Sequence, residues 1–217
     1  MRYSYLFFIS FLLITSGLNG QDPKRFQKDI DTIDMKNNKK ANSSDLIVFT
    51  GSSSIRRWQN VREYFPERNI INTGFGGSQM SDLLYYSDSV IIKYKPEQVF
   101  IYEGDNDVAA GKNTEVVIKD AVALIKRVTD KVPGIQIVII SVKPSVSRWM
   151  LKDKYVKLND EYKNLASTYK NVRFVDVWYP LLTDHGTPKK EIFVSDSLHI
   201  NKLGYDIWAR EIKKVIK

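Results

Sequence analysis

Four short polar segments of this chain carry side chains suited to acyl-transfer chemistry. Residues 51–54 place three consecutive serines after a glycine, and residues 195–199 contain an aspartate and a histidine three positions apart. Residues 72–77 are rich in glycine, and residues 103–107 combine carboxylates with an asparagine. A hydroxyl, an imidazole with a nearby carboxylate, exposed backbone amides and a carboxamide are the nucleophile, base, orienting group and oxyanion donors that acyl transfer needs.

The scarcity of histidine narrows the choice of general base. A serine hydroxyl becomes an effective nucleophile only when a neighbouring base removes its proton, and histidine side chains titrate near neutral pH. The chain has only His185 and His199. His185 adjoins Asp184 in a stretch with glycine and proline that is typical of a surface loop. Asp196 precedes His199 by three residues, so one turn of chain can bring its carboxylate against a ring nitrogen. We therefore predict His199 as the base.

A scaffold must position these segments, and the hydrophobic pattern predicts one. Short apolar runs of strand type alternate with longer segments of helical spacing. The predicted strands are 46–49, 69–72, 98–102, 135–140 and 172–175, and the main predicted helices are 26–39, 79–94, 114–131, 152–169 and 202–216. This alternation predicts an α/β fold, a three-layer α/β/α sandwich around a five-stranded parallel sheet. Because loops after parallel strands meet at one sheet edge, we expect the polar segments to converge there.

The ordered set of polar segments resembles the SGNH hydrolases, the GDSL-type esterase/lipase family. The family's Gly-Asp-Ser-Leu block matches residues 51–54, its second-block glycine matches Gly77, its Gly-x-Asn-Asp block matches residues 104–107, and its Asp-x-x-His block matches residues 196–199. The blocks occur in family order and cover most of the chain after residue 20. Ser52 departs from the pattern, since the family usually has aspartate there. We expect this change to alter local hydrogen bonding without removing the chemistry.

The resemblance implies a fold, a mechanism and a set of site residues. The implied fold is the flavodoxin-like SGNH hydrolase fold, and the implied reaction is ester hydrolysis through an acyl-enzyme, with no cofactor and no metal. Ser53 is implied as the nucleophile, in a relay with His199 and Asp196. The implied oxyanion donors are the backbone N–H groups of Ser53 and Gly77 and the side-chain amide of Asn106.

The first twenty residues have the pattern of a secretory signal peptide. Arg2 is followed by an apolar core over residues 6–14, too short for a stable membrane span, and then by small and polar residues up to Gly20. A retained amphipathic anchor is the less favoured alternative. We expect residues 21–217 to form a single domain, secreted or periplasmic, without a stable membrane anchor. The chain has no cysteine, which excludes disulfides and cysteine lipidation.

Charge and motif spacing argue against several other functions. The formal net charge is +8, but the lysines are scattered among acidic residues and form no basic block with aromatics, so we expect no nucleic-acid partner. The glycines of residues 74–77 lack the spacing of a dinucleotide loop, and Gly111-Lys112 lacks that of a P-loop. The acidic residues at 105–107 are adjacent to the asparagine between them, whereas a calcium loop alternates its ligands.

The predicted substrate is a small-molecule or carbohydrate ester with a short acyl group, acetyl being favoured, because the chain is compact and has no lid-like apolar insertion. Export favours O-acetylated carbohydrate. Arg148 and Trp149 follow the fourth predicted strand and are candidate substrate-binding residues, for an anionic group and for stacking on a sugar; structural packing is the alternative for both. A glycan-binding module without turnover is the alternative function, supported only by Ser52. The sequence does not assign an oligomeric state.

Overall fold

The computed structural model of the protein describes residues 22–40 and 43–217. The predicted signal peptide, residues 1–20, lies outside the described residues, so it stays a prediction. Within the described part of the chain, no helix combines the length and the apolar composition needed to cross a membrane.

A five-stranded parallel sheet forms the centre of the molecule. Its strands are β1 (Leu46–Gly51), β2 (Asn69–Asn72), β3 (Gln98–Tyr102), β4 (Gln136–Ile140) and β5 (Val172–Val175). They lie in the order β2-β1-β3-β4-β5. The order changes direction between β1 and β3, and in open α/β sheets ligand crevices form outside the carboxyl ends of the strands at such a point.

Alternate residues of each strand point to opposite faces of the sheet, and both faces are covered. Leu46 and Val48 of β1 belong to one buried apolar cluster, while Ile47 and Phe49 belong to the other. Every residue of β1 and β3 is buried, which explains why these strands appear in the sequence as apolar runs without alternation. The prediction of a three-layer α/β fold around a five-stranded parallel sheet is confirmed.

Helices form the two outer layers. They are α1 (Gln27–Asn37), α2 (Ser53–Arg57), α3 (Val61–Tyr64), α4 (Met80–Tyr85), α5 (Ser87–Val90), α6 (Asp105–Ala109), α7 (Thr114–Lys131), α8 (Lys152–Ser167) and α9 (Lys202–Ile212). The long helices α7 and α8 pack on the first face with α1, α4 and α5, and α2, α3 and α9 pack on the second. Helix α7 buries Val117, Ala121, Leu124, Ile125 and Val128, whose spacing places them on one side of a helix.

The helices differ most from the prediction in two of the predicted segments and in three short helices outside them. Residues 79–94 form α4, α5 and a 3₁₀ turn (Ile92–Tyr94), and they end at Lys95, whose φ of 47° is left-handed. The closing helix ends at Ile212, before the lysine-rich residues 213–217. Helices α2, α3 and α6 were not predicted, because four or five residues are too few to show helical periodicity. Helices α2 and α6 follow β1 and β3 closely, at the expected edge of the sheet.

Candidate active site

Ser53 lies at a sharp turn between β1 and α2. Gly51 has a φ of 125°, and a Cβ at this position would lie 2.1 Å from the carbonyl oxygen of Tyr102 in β3, so glycine is required. The N–H of Ser52 donates to that same carbonyl at 3.0 Å, which ties the turn to the neighbouring strand. Ser53 is then the first residue of α2, and its hydroxyl is held at the carboxyl edge of the sheet.

Ser53, His199 and Asp196 form a continuous hydrogen-bonded relay. Ser53 Oγ lies 2.9 Å from His199 Nε2, and His199 Nδ1 lies 2.6 Å from Asp196 Oδ2. Serine and histidine are 146 residues apart in sequence, so the fold brings them together. In this geometry the imidazole can take the serine proton through Nε2 while the carboxylate accepts the N–H at Nδ1.

A tight turn holds Asp196 against His199. Asp196 Oδ1 accepts the backbone N–H groups of Leu198 and His199, both at 2.9 Å, and Ser197 has a left-handed φ of 58°. Partial burial opposes ionisation of Asp196, but the hydrogen bonds from His199 outweigh it and hold the pKa of the carboxyl below its usual value. Asp196 is therefore charged at neutral pH and can stabilise an imidazolium at His199.

Helix α9, which follows His199 in the chain, is tied to the nucleophile helix. The Tyr205 hydroxyl donates to the carbonyl of Ser54 at 2.8 Å, and the Tyr205 ring stacks on Trp58 with centroids 5.0 Å apart. These contacts join the segment after the base to the segment after the nucleophile.

Asn106 lies between the nucleophile turn and the glycine loop. Its amide nitrogen donates to Ser52 Oγ at 2.7 Å and to the backbone carbonyl of Ser78 at 2.9 Å. Ser52 precedes Ser53 and Ser78 follows Gly77, so the carboxamide lies between the two backbone N–H groups that the sequence predicts as oxyanion donors. Within the described residues, neither of these two N–H groups has an acceptor.

Gly77 forms the exposed corner of this loop. Its φ is 86°, a conformation that favours glycine. Apart from its chain neighbours, no atom of the described residues lies within 4 Å of the position that a Cβ would take. A ligand can therefore approach the Gly77 backbone closely from that side.

Ser52, the departure from the family block, is buried at 2% exposure. Its hydroxyl oxygen is one of the two acceptors of the Asn106 amide. The serine thus supplies an acceptor for the carboxamide at the position where the family usually has a carboxylate, and the carboxamide remains paired.

A buried ion cluster supports Asn106 from the preceding residue, Asp105. The Asp105 carboxylate pairs with two cations and accepts two hydroxyl groups: Lys143 at 3.3 Å, Arg148, and Tyr102 and Tyr155, both at 2.9 Å. Burial opposes ionisation of Asp105, but Lys143 and Arg148 outweigh it and lower its pKa to about 2. Lys143 is 1% exposed, and burial lowers its pKa. Charge pairing therefore fixes the start of α6.

Asp107, the residue after Asn106, is also fully buried. Its carboxylate pairs with Lys112 Nζ at 2.8 Å and accepts the backbone N–H of Met80 at 3.0 Å. Burial raises the pKa of Asp107, although Lys112 acts in the opposite direction. Met80 begins α4 directly after the glycine loop, so Asp107 joins that loop to α6.

Arg148 belongs to this cluster and Trp149 follows it in the chain, and both make internal contacts. Both terminal nitrogens of Arg148 donate to Asn106 Oδ1 at 3.3 Å, in addition to the ion pair with Asp105. With its oxygen held there, the carboxamide turns its nitrogen toward the glycine loop. Trp149 stacks on Trp178 with ring centroids 6.0 Å apart. The predicted roles of Arg148 and Trp149 in substrate binding stay predictions.

The sequence pattern alone predicts no role for Asp105 or Lys143. The available signal was a lysine three residues after an apolar strand and directly before Pro144, and the fold buries it. In the described residues, no group of three histidine, aspartate or glutamate side chains is arranged to hold a metal ion.

Residues 42–207 match the sequence model of a family described as GDSL-like lipase/acylhydrolase. The matched segment contains Ser53, Gly77, Asn106, Asp196 and His199. No curated protein matches the chain.

Solved structures share the fold over most of their length. A Streptococcus pneumonia protein whose description names platelet activating factor superposes with a TM-score of 0.79 at 25% identity, over 89% of this chain and 95% of that one. A GDSL-like lipase from Bacteroides thetaiotaomicron VPI-5482 gives 0.71 at 22% identity, over 90% and 97%. A catalytic mutant of an acetylxylan esterase from Geobacillus stearothermophilus gives 0.65 at 18% identity, over 82% and 96%.

Proposed function

Because this chain belongs to the GDSL-like lipase/acylhydrolase family, we propose that it is a secreted serine esterase that removes short O-acyl groups, foremost O-acetyl groups, from carbohydrates. The observation that carries the proposal is the relay from Ser53 Oγ through the His199 ring to the Asp196 carboxylate, at 2.9 and 2.6 Å. This is the geometry that general-base activation of a serine requires.

In the proposed reaction, Ser53 Oγ attacks the acyl carbon and its proton passes to His199 Nε2. The carbonyl oxygen becomes an oxyanion. The tetrahedral intermediate then collapses: the ester C–O bond breaks, and His199 gives the proton to the departing alcohol oxygen. Water attacks the acyl-enzyme while His199 removes its proton, and the acid is released as Ser53 regains its hydrogen.

The oxyanion is stabilised by donors aimed at the place where its charge develops. The N–H groups of Ser53 and Gly77 lack acceptors within the described residues, which leaves them free for this role. The Asn106 amide lies between them. One of its N–H groups donates to the oxyanion as well as to its acceptor within the fold.

Two features favour a small acyl group on a carbohydrate. The segments after β1, β2 and β3 reach the next helix within seven residues and carry no lid-like apolar insertion, and one of the proteins of similar fold is an acetylxylan esterase. Trp149 stays our candidate for contact with a sugar ring, and Arg148 for an anionic substituent. The predicted leader supports export.

The test is hydrolysis of phenyl acetate and of acetylated xylo-oligosaccharides by the purified residues 21–217. Ser53→Ala should remain folded and lose turnover, and Ser54→Ala is the matched control that retains it. A fluorophosphonate should label Ser53. Binding of acetylated oligosaccharide without turnover by the unmodified protein would favour the glycan-binding alternative.

Acyl length and export are tested separately. A series of phenyl esters should give its highest kcat/KM with acetyl or butyryl, and a preference for octanoyl or longer esters would contradict the small-acyl proposal. The protein recovered from outside the cytoplasm should begin near Gln21 on N-terminal sequencing. An intact N-terminus would contradict cleavage of the leader.

A further inference from the structure

Glu103 is a buried carboxyl group for which the proposed mechanism has no use. It is 1% exposed and directly follows β3. Its Oε1 is hydrogen-bonded to Ser78 Oγ, and its Oε2 has no partner within the described residues. On the backbone of this residue, the Tyr162 hydroxyl of α8 donates to the Glu103 carbonyl at 3.3 Å.

Among the described residues, Glu103 lacks the cation partner that each of three neighbouring carboxylates has. Its neighbours each pair with one cation or more: Asp82 with Arg25 at 2.8 Å, Asp105 with Lys143 at 3.3 Å and with Arg148, and Asp107 with Lys112 at 2.8 Å. No lysine or arginine of the described residues lies within ion-pair distance of Glu103. An ionised carboxylate here would be buried, unpaired and surrounded by like charges, which is strongly unfavourable.

The hydrogen bonds of Ser78 are consistent with a neutral Glu103. Ser78 Oγ is within hydrogen-bond distance of the Phe75 carbonyl, at 3.0 Å, and of Glu103 Oε1. Both partners are oxygen atoms, and a hydroxyl has one proton to donate. If the hydroxyl donates to Phe75, which closes the turn around Gly76 and Gly77, the second hydrogen bond needs a proton on Glu103.

We propose that Glu103 is a neutral carboxylic acid that donates its proton to Ser78 Oγ, and that it acts as a positioning residue for the oxyanion donors Gly77 and Asn106. Ser78 connects it to both, because its hydroxyl closes the turn that contains Gly77 and its carbonyl accepts the Asn106 amide at 2.9 Å. The positioning role rests on the proposed esterase function.

The pKa of Glu103 agrees with this protonation state. Burial raises it well above its usual value, and the charges of Asp107, Asp82 and Asp105 add to the effect, while the hydrogen bond with Ser78 acts in the opposite direction. When Glu103 ionises in alkaline solution, the Ser78 hydroxyl turns its proton toward the carboxylate. The Phe75 carbonyl then loses its donor, and the turn that presents the Gly77 N–H is released.

The kinetic test compares kcat for phenyl acetate, followed by acid release, across the pH range. Glu103→Gln keeps a donor for Ser78 and cannot ionise, so it should retain most of kcat at neutral pH and lose the alkaline decline of the unmodified enzyme. Glu103→Ala should lower kcat about 10- to 100-fold with KM changed far less, since small displacements of catalytic groups cost this much. Glu115→Gln, at an exposed position on α7, is the matched control and should leave the profile unchanged.

A second test does not depend on activity. It determines the protonation state of Glu103 from the pH dependence of the unfolding constant. A carboxyl whose pKa is raised in the folded state stabilises the protein below its unfolded-state pKa and loses this contribution as pH rises through the folded-state pKa. Between the usual pKa of glutamate and the folded-state pKa of Glu103, the unfolding constant of the unmodified protein should therefore rise about tenfold per pH unit relative to that of Glu103→Gln. A constant ratio between the two proteins would overturn the neutral-acid assignment.

The positioning role is read by NMR. The Gly77 backbone amide and the Asn106 side-chain amide should shift in alkaline solution in the unmodified protein and stay in place in Glu103→Gln. Identical titrations in both proteins would overturn the role. An enzyme that hydrolyses no ester but shows both Glu103-dependent titrations would contradict the proposed function and leave the proton assignment supported.

Discussion

The two halves of the site are held in place by opposite means. The relay half consists of Ser53, Asp196 and His199, and the donor half consists of Gly77 and Asn106. In the relay half, Asp196 is 40% exposed, and its hydrogen bonds come from residues at most three positions away. The geometry of the acid and base is therefore encoded locally, in a four-residue turn.

The donor half depends on distant parts of the chain. Asp105, which precedes Asn106, is 8% exposed, and its partners come from β3, from the segment after β4 and from α8. In the relay half, the residues that perform the chemistry are separate from those that stabilise the fold. In the donor half, both depend on the same buried contacts. Changes in the relay should remove turnover from a folded protein, whereas changes beneath the donors should also weaken the fold.

The largest expected effect is in the relay. His199→Ala should lower kcat by about 10⁴-fold or more, because the serine loses its base, and the melting temperature should barely change. His185→Ala, in an exposed turn, is the matched control and should retain turnover. Kinetics and thermal unfolding of both variants check this. A loss of activity in His185→Ala alone would mean that the relay is wrongly assigned.

Removal of Asp105, in contrast to removal of His199, should lower the stability of the fold. Asp105→Ala leaves Lys143 buried without a counter-charge, and breaking a buried ion pair in this way costs about 3–5 kcal/mol of unfolding free energy. Urea unfolding measures the change. Asp88→Ala, which breaks the exposed pair with Arg127, is the control and should leave stability unchanged within error. Equal effects of the two variants would contradict the contrast between surface and buried charge.

Asn106→Ala should affect the transition state above all. Loss of one oxyanion donor typically lowers kcat by about 10²–10³-fold, and KM should change far less because the charge exists only in the transition state. Steady-state kinetics separate the two parameters. An effect on KM alone would mean that Asn106 binds substrate and does not stabilise the oxyanion.

Acid should weaken the donor half through the protonation of Asp105. The pKa of Asp105 is lowered to about 2, so its stabilising contribution is present above its unfolded-state pKa and is lost as pH falls from about 4 to about 2. This loss is on the order of 2 kcal/mol. Urea unfolding of the unmodified protein and of Asp105→Asn between these pH values should converge toward the acid end. Parallel curves would show that Asp105 is not charged in the folded protein.

Sequence patterns predicted the features that depend on local composition. The bounds of β2, β3 and β5 and of α7 agree with prediction, because buried strands and a long amphipathic helix leave periodic apolar residues. The division of residues 79–94 into several short helices could not be predicted from the sequence. Tyr86 and Ile91 continue the helical spacing, while the backbone departs from helical geometry at these residues.

The donor half was the least predictable part. Asp105 and Arg148 are 43 residues apart and Glu103 and Ser78 are 25 apart, so no local pattern pairs them. The prediction named Asn106 and Gly77 from motif order alone. Partners such as Lys143 are defined only once β3 and β4 lie side by side, which is a tertiary property.

The relay also sets an order of events during synthesis. The nucleophile turn leaves the ribosome early, while His199 follows it by 146 residues, after every strand of the sheet has been made. A nascent chain can therefore complete its sheet while its serine still lacks a base. Ester cleavage requires the final loop to dock on the nucleophile turn, so we expect an unfinished chain to be inactive.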